Sequence, residues 1–176
     1  MLAAGRAERF GAQKLLHPLR GGDTLLERAI RASGEYPAIV VTSSALRERV
    51  EALGARAIVN DEPERGMAHS LRLANEAIDP AHTIAVLPAD LLLIEPADVH
   101  AVVEASMGRD VTYPVRADAT PGHPVVFSAR ARTFIAQLAD NTPIARVRDR
   151  DDLVRLMLVT DDAWPYLDVD TPGDLA

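Results

Sequence analysis

Short apolar runs alternate with amphipathic segments along this chain. The apolar runs are rich in aliphatic and β-branched residues, which favour strands, and they lie at residues 1–4, 38–42, 56–59, 84–88, 111–115, 125–127 and 155–159. Helical patterns lie between them, at residues 25–32, 45–53, 67–77 and 96–105. Strands that alternate with helices are typical of a mostly parallel sheet with helices on both faces. We therefore predict an α/β fold, a single-domain three-layer sandwich.

Residues that favour helix starts precede three of these helices. Asp23 or Thr24 can cap the first helix, and Ser43 or Ser44 can cap the second. Pro96 suits the first turn of the fourth helix, because its missing N–H is not needed there. No repeat or low-complexity linker interrupts the pattern, so residues 1–176 are predicted to form one domain.

The composition limits the chemistry. The chain has 176 residues, of which 48% are hydrophobic, and this is enough for one sizeable core. It has no cysteine, which excludes disulfides, thiolate metal sites and thiol catalysis. The five histidines are too scattered for a two-histidine helical metal motif. Oxygen atoms are then the expected metal ligands, and Mg²⁺ is the expected ion.

Net charge and hydropathy argue against two classes of partner, nucleic acids and membranes. A net charge of −7 argues against a nucleic-acid surface, which needs an excess of Lys and Arg. The longest apolar stretch, 84–94, is interrupted by Asp90 and is shorter than the roughly 20 residues of a membrane span. The first residues also lack the features of a secretory signal, so the cytoplasm is the expected location.

The start of the chain indicates a phosphate-binding loop. Leu2-Ala3-Ala4-Gly5 closes a short apolar strand, and the cations Arg9 and Lys14 follow. Backbone N–H groups of a glycine turn can face phosphate oxygens while the two cations neutralise their charge. The pattern therefore favours a nucleoside triphosphate, although a plain turn with two surface cations has the same sequence. The first strand is short for a buried central strand, and we expect further residues upstream of Met1.

Three aspartates are candidate metal ligands. Asp90 follows a predicted strand at its carboxyl end, where open α/β folds bind ligands. Asp168 and Asp170 alternate with Val169, so both carboxylates share one side of an extended segment. The alternatives are structural, since Asp90 could cap a following segment and Asp170 or Thr171 could cap a helix that begins at Pro172. Without a cation, converging carboxylates would repel each other and strain the site.

A second candidate region lies where a loop enters a helix. Gly66 precedes Met67-Ala68-His69-Ser70, so backbone amides and one hydroxyl are available to a pyrimidine edge or a ribose. A plain helix start with Ser70 as a capping residue is the alternative.

Five segments in this order resemble the MobA-like nucleotidyltransferases, and most closely the molybdenum cofactor cytidylyltransferases (MocA-like). The segments are residues 2–16, 64–71, 86–90, 122–127 and 167–172. The resemblance implies a Rossmann-like sheet of the nucleotide-diphospho-sugar transferase type. It also implies transfer of a cytidylyl group from CTP to the phosphate of a molybdopterin-type cofactor, with Mg²⁺ and release of pyrophosphate.

The resemblance assigns roles to individual residues. Lys14, Arg9 and Asp90 take catalytic roles, and an aspartate of the 168–170 pair, by preference Asp168, completes the metal site with Asp90. The nucleotide-binding residues implied are Leu2, Ala3, Ala4, Gly5, Arg9, Lys14, Gly66 and Ser70, and His123 is implied to line the acceptor pocket. Two departures are visible, because no proline follows Asp90 at the second position and Gly173 replaces a glutamate.

Other functions remain open at this stage. Ala4 favours CTP, because related guanylyltransferases tend to carry a second glycine there. A relative of the same fold could use GTP, or could act on a sugar phosphate, a polyol phosphate or another cofactor precursor. A non-catalytic protein that carries the cofactor or assists a molybdoenzyme is the alternative from another class. The expected partners are small molecules and possible molybdoenzyme clients, with neither nucleic acid nor membrane.

Overall fold

The computed structural model describes residues 1–3, 14–19, 21–169, 171 and 174. In the described part, the strands are β1 Leu2–Ala3, β2 Ile39–Thr42, β3 Arg56–Val59, β4 Ile84–Val86, β5 Val111–Val115, β6 Val125–Phe127 and β7 Arg155–Val159. The α-helices are α1 Leu25–Ala32, α2 Arg47–Ala52, α3 Gly66–Glu76, α4 Pro96–Ala105, α5 Ala129–Ile135 and α6 Ala145–Arg148. Short 3₁₀ turns cover Lys14–Leu16, Ser44–Leu46 and Pro63–Arg65.

The strands form one sheet with a single antiparallel member among those described. β1, β2 and β3 are parallel neighbours, and β4, β6, β5 and β7 follow in that order. A parallel bridge between Leu2 and Pro88 joins the two halves, with a 3.0 Å hydrogen bond from the Leu2 N–H to the Leu87 carbonyl. The order is therefore 3-2-1-4-6-5-7, in which β6 runs against its neighbours.

Helices cover both faces of this sheet. On one face, α1 and α2 bury Leu26, Ala29 and Val50 against Val40 of β2. On the other face, buried side chains of α3, α5 and α6 pack against the β4–β7 half, and they are Leu71, Ala131, Ile135 and Val147. Residues of β1 alternate between the faces, since Leu2 contacts the second cluster and Ala3 the first. This is the predicted three-layer sandwich with a mostly parallel sheet.

Most predicted elements are confirmed, and some boundaries change. Thr24 caps α1 and forms a capping box with Glu27, as one of the two predicted residues. Neither serine caps α2, because a 3₁₀ turn occupies 44–46 and the Ser43 side chain makes no capping bond. The sequence patterns did not indicate α5 or α6. No helix in the described ranges is long and apolar enough to cross a membrane.

Candidate active site

An ion pair joins two residues that the sequence analysis assigned to phosphate and to metal. The Nζ atom of Lys14 lies 2.8 Å from Oδ2 of Asp90, and these side chains are 11% and 28% exposed. Lys14 begins the 3₁₀ turn Lys14–Leu16, and Asp90 follows β4 at the carboxyl edge of the sheet. Asp90 does not cap a helix, because the next helix begins at Pro96. The fold therefore brings a cation and a carboxylate together where open α/β sheets bind ligands.

The segment that contains Asp168 runs beside Asp90. Leu91 and Asp168 form an antiparallel bridge. The Val169 N–H donates to the Asp90 carbonyl at 3.0 Å, and the Leu92 N–H donates to the Leu167 carbonyl at 2.9 Å. Val169 is fully buried while Asp168 is exposed, so these two side chains face opposite sides, and the predicted partner Asp170 lies outside the described residues. Two aspartates far apart in sequence thus lie on adjacent extended segments.

The donor set suits a hard divalent cation bound together with a substrate. Mg²⁺ is commonly held by one or two carboxylates and by substrate phosphates, and it keeps several waters. Asp90 and Asp168 can supply the two carboxylates. Within the described ranges, no cluster of three or more His, Cys, Asp or Glu forms a cage for a metal. The sequence analysis expected the carboxylates to repel each other and strain the metal-free site. Lys14 places a positive charge beside Asp90, which that expectation did not include.

The second region lies at the start of α3. The helix begins at Gly66, and no side chain caps it, so Ser70 is an interior residue of the helix rather than a cap. Gly66 has φ +80°, and a Cβ there would lie 2.4 Å from Oδ1 of Asn141. The glycine is therefore required by backbone conformation and by the close approach of the 138–142 loop. Ser70 is 6% exposed and accepts a 2.9 Å hydrogen bond from Asn60.

His123 lies close to both aspartates. It precedes Pro124 at a cis peptide bond, and its backbone N–H donates to the Pro165 carbonyl at 3.0 Å. Its Nδ1 atom is buried without a hydrogen-bond partner among the described residues. Burial lowers the pKa of His123, and the backbone of Val86 and the charges of Asp90 and Asp168 oppose this effect. A neutral imidazole beside the two carboxylates can accept or donate a proton.

Several residues near these groups were not predicted from the sequence. The positive charge of Arg148, on α6, also lowers the pKa of His123. The Arg148 guanidinium lies 5.2 Å from the centre of the Tyr113 ring. Arg116 stacks over Tyr166 at 4.1 Å. In the described structure the Tyr166 hydroxyl is buried without a hydrogen-bond partner. Isolated cations on a short helix or a loop carry no sequence signal, and only the fold brings them to the site.

Four predicted site residues, Ala4, Gly5, Arg9 and Asp170, lie outside the described residues. Leu2 and Ala3 form β1.

A separate apolar cavity of about 500 Å³ lies at the other end of the sheet, beside the first residues of β2 and β4. Ile39, Ile84 and Tyr36 are among its lining residues. Neither Lys14 nor Asp90 lines it, so it is not the site of the charged chemistry.

An open α/β sheet with charged side chains at its carboxyl edge is the architecture of nucleotide-binding enzymes. Residues 1–154 match the family model described as MobA-like NTP transferase domain. The chain belongs to this family.

Solved structures agree with this assignment. Rv0371c from Mycobacterium tuberculosis H37Rv superposes with a TM-score of 0.82 and 29% identity, over 98% of this chain and 91% of that protein. A manganese complex of the same mycobacterial protein superposes with a TM-score of 0.77 and 26% identity, over 98% and 92%. Molybdopterin-guanine dinucleotide biosynthesis protein A from Archaeoglobus fulgidus reaches a TM-score of 0.73 over 99% and 92%, and its 16% identity supports the fold alone.

A curated relative is a longer protein. The bifunctional protein GlmU of Alkalilimnicola ehrlichii is 34% identical over 116 residues, which are 61% of this chain. The matched region is 25% of GlmU, so the chain spans about a quarter of the length of the curated relatives that it matches.

Proposed function

We propose that the protein transfers a cytidylyl group from CTP to the phosphate of a molybdopterin-type acceptor. An oxygen of the acceptor phosphate attacks the α-phosphorus of CTP, and the bond from this phosphorus to the oxygen that bridges to the β-phosphate breaks. The products are a pyrophosphate-linked dinucleotide and free pyrophosphate. Positioning and charge stabilisation can supply most of the acceleration in such a transfer, so no nucleophilic side chain is needed.

The observation that carries the proposal is the meeting of Lys14 and Asp90 at the carboxyl edge, 2.8 Å apart. Lys14 is positioned to donate to phosphate oxygens and to stabilise the charge that builds on pyrophosphate. Arg9 is proposed to assist it from the amino-terminal loop. When Lys14 contacts phosphate, Asp90 is proposed to bind the metal instead of the lysine.

Asp90 and Asp168 are the proposed ligands of Mg²⁺, with Asp170 as the alternative within its pair. When bound, the ion supplies positive charge to the phosphates. The manganese complex of the mycobacterial relative supports divalent metal binding in the family.

The nucleotide is proposed to lie against the amino-terminal loop and the start of α3. Leu2, Ala3, Ala4 and Gly5 line one side, and Gly66 and Ser70 line the other. The small side chains of Ala4 and Ser70 and the absence of one at Gly66 suit a pyrimidine. Ala4 in place of a second glycine favours CTP over GTP.

The acceptor is proposed to bind near His123. Because burial lowers its pKa, the His123 ring is proposed to be neutral, with its single N–H on the backbone of Val86 and Nδ1 left to accept a hydrogen bond from a pterin N–H. A pterin acceptor, with a molybdoenzyme as the eventual partner, is what the resemblance to the molybdenum cofactor cytidylyltransferases implies. We place the reaction in the cytoplasm.

A second candidate is transfer to a sugar phosphate. The resemblance to nucleotidyltransferases of the nucleotide-diphospho-sugar transferase type favours it.

One experiment separates these possibilities. Purified protein is incubated with Mg²⁺, each of CTP, GTP, ATP and UTP, and either molybdopterin or a panel of sugar phosphates, and pyrophosphate release is measured. We expect release only with CTP and molybdopterin, and the largest rise in melting temperature with CTP. Release with a sugar phosphate would select the second candidate, and the strongest stabilisation by GTP would overturn the cytidylyl assignment.

A further inference from the structure

We propose that Asn60 is a positioning residue that orients the Ser70 hydroxyl as a hydrogen-bond donor to the nucleobase. This inference rests on the proposed function for the presence of a nucleobase beside Ser70. It adds a residue and a direction of hydrogen bonding to that site.

Asn60 occupies a fixed position at the carboxyl edge. It follows β3 directly, is 3% exposed, and its N–H donates to the Thr42 carbonyl at 2.8 Å. Thr42 in turn pairs with Ala3 of β1. Val59 is the register partner of Thr42, so Asn60 lies one residue beyond the row that contains Ala3, about 10 Å away across two strand spacings.

The contacts of Asn60 fix which end of its amide faces Ser70. The Glu62 N–H donates to Oδ1 of Asn60 at 2.9 Å, and a backbone N–H can only donate. The oxygen of the amide must therefore face Glu62. The Nδ2 group then faces Ser70 and lies 2.9 Å from its Oγ.

This arrangement sets the role of the serine. Because Nδ2 carries only donors, Ser70 Oγ must accept from Asn60, and its own proton points elsewhere. In the ranges that the structure describes, Ser70 Oγ has no hydrogen bond other than the one from Asn60. The hydroxyl therefore offers a donor at the start of α3, four residues after Gly66 and on the same face of the helix.

A committed donor selects between bases. Cytosine presents two adjacent acceptors, a carbonyl oxygen and a ring nitrogen, whereas the corresponding edge of guanine presents N–H donors. A Ser70 donor finds an acceptor on cytosine, whereas beside guanine the oxygen can accept from an N–H but its own proton is left without a partner. A buried polar group that is left unpaired costs more than one hydrogen bond contributes, so the orientation of one hydroxyl can decide specificity.

The test changes the direction in which the Ser70 proton points without removing the hydroxyl. In Asn60→Asp, one carboxylate oxygen still accepts from the Glu62 N–H, and the other accepts the Ser70 proton, so Ser70 no longer donates to a base. Affinity for CTP with Mg²⁺ is measured by calorimetry for the wild type, Asn60→Asp, Ser70→Ala and the double variant. The Ser70→Ala change should weaken CTP binding about fivefold to tenfold, as loss of one hydrogen bond does.

The double variant separates the hydroxyl from the added charge. The carboxylate introduced by Asn60→Asp repels the triphosphate both in the wild-type background and in Ser70→Ala. The changed direction of the Ser70 proton affects binding only where Ser70 is present. We expect Asn60→Asp to weaken binding several-fold more in the wild type than in Ser70→Ala. Equal effects in the two backgrounds would overturn the proposal.

Two further measurements keep the test decisive. Ser70→Cys keeps the shape but offers a weak donor, so it should weaken CTP binding like Ser70→Ala even if Asn60→Asp does not fold. Unchanged affinity in Ser70→Cys would also overturn the proposal. If the wild type prefers GTP, the cytidylyl assignment fails, and the same four proteins measured with GTP still report whether Asn60 acts through Ser70.

Discussion

Lys14 and Asp90 are 76 residues apart in the sequence, and their side chains meet with 2.8 Å between Nζ and Oδ2. The proposed reaction gives each of them a different partner, because the lysine serves phosphate and the aspartate serves a metal. Loading the site therefore exchanges one ion pair for two new interactions. Nucleotide and metal should each bind more tightly when the other has already separated the pair.

Replacing the lysine should have opposite effects on metal binding and on turnover. In Lys14→Met, the Asp90 carboxylate no longer has its cation, and Mn²⁺ alone should bind a few-fold to about tenfold more tightly, since such an ion pair contributes roughly 1 kcal/mol. Turnover should fall on the order of a hundredfold, because a preorganised contact to phosphate is lost. Electron paramagnetic resonance titration and pyrophosphate release measure the two effects.

Lys14→Arg is the matched control for this variant. It keeps the charge beside Asp90, so Mn²⁺ affinity should remain near that of the wild type. Weaker Mn²⁺ binding in Lys14→Met than in the wild type would contradict the exchange of partners.

Substitution of the carboxylates should identify the metal ligands. Asp90→Asn and Asp168→Asn should each abolish most pyrophosphate release, because each removes a charged oxygen ligand. Asp90→Asn should also lower the melting temperature of the metal-free protein, because partly buried Lys14 loses the partner observed in the structure. Asp170→Asn is the internal control, and damage as severe as that of Asp168→Asn would show that the choice within the pair is wrong.

The start of α3 should not tolerate a side chain at Gly66. Gly66→Ala introduces a Cβ at φ +80° that lies 2.4 Å from Oδ1 of Asn141 and 3.2 Å from its Cα. Unfolding free energy should fall by about 1–3 kcal/mol, from backbone strain and the contact together. Asn141→Gly in the same chain should restore part of the loss, because it removes Oδ1 but leaves the strain. Denaturant unfolding of the wild type, Gly66→Ala and the double variant checks this, and no recovery in the double variant would mean that the contact is unimportant.

Acid should remove the contribution of Asp140 to stability. Hydrogen bonds from Arg65 and Arg72 lower the pKa of this carboxyl to about 2. A carboxyl with a lowered pKa in the folded state stabilises the protein above its ordinary value near 3.8 and loses that effect as pH falls towards 2. Asp140→Asn should therefore unfold at lower denaturant than the wild type at pH 7, and the difference should shrink as pH falls below 4.

The fully exposed Asp151 provides the control for this experiment. Asp151→Asn should leave the denaturant midpoint nearly unchanged at pH 7. A difference between Asp140→Asn and the wild type that grows in acid would contradict the stated cause.

The local sequence pattern was sufficient to predict most of the fold. The alternation of aliphatic runs and helical segments predicted each of the strands described here and α1 to α4, because side-chain periodicity reflects which face is buried. α5 was missed although Ser128 caps it, since its Ala-Arg-Ala-Arg sequence has no clear apolar face. α6 has only four residues, too few for any periodic signal.

The sequence by itself determined which chemical groups the protein can use: one lysine after a glycine loop, single aspartates after strands, and no thiol. Their order along the chain also identified the family. Only the tertiary structure decided which groups meet, that Lys14 faces Asp90, that residues 167–169 pair with 90–92, and that Asn60 holds Ser70. These contacts join residues that lie on different strands and helices, so they depend on the order of strands in the sheet and on side-chain packing. Neither is written in the local pattern of any one segment.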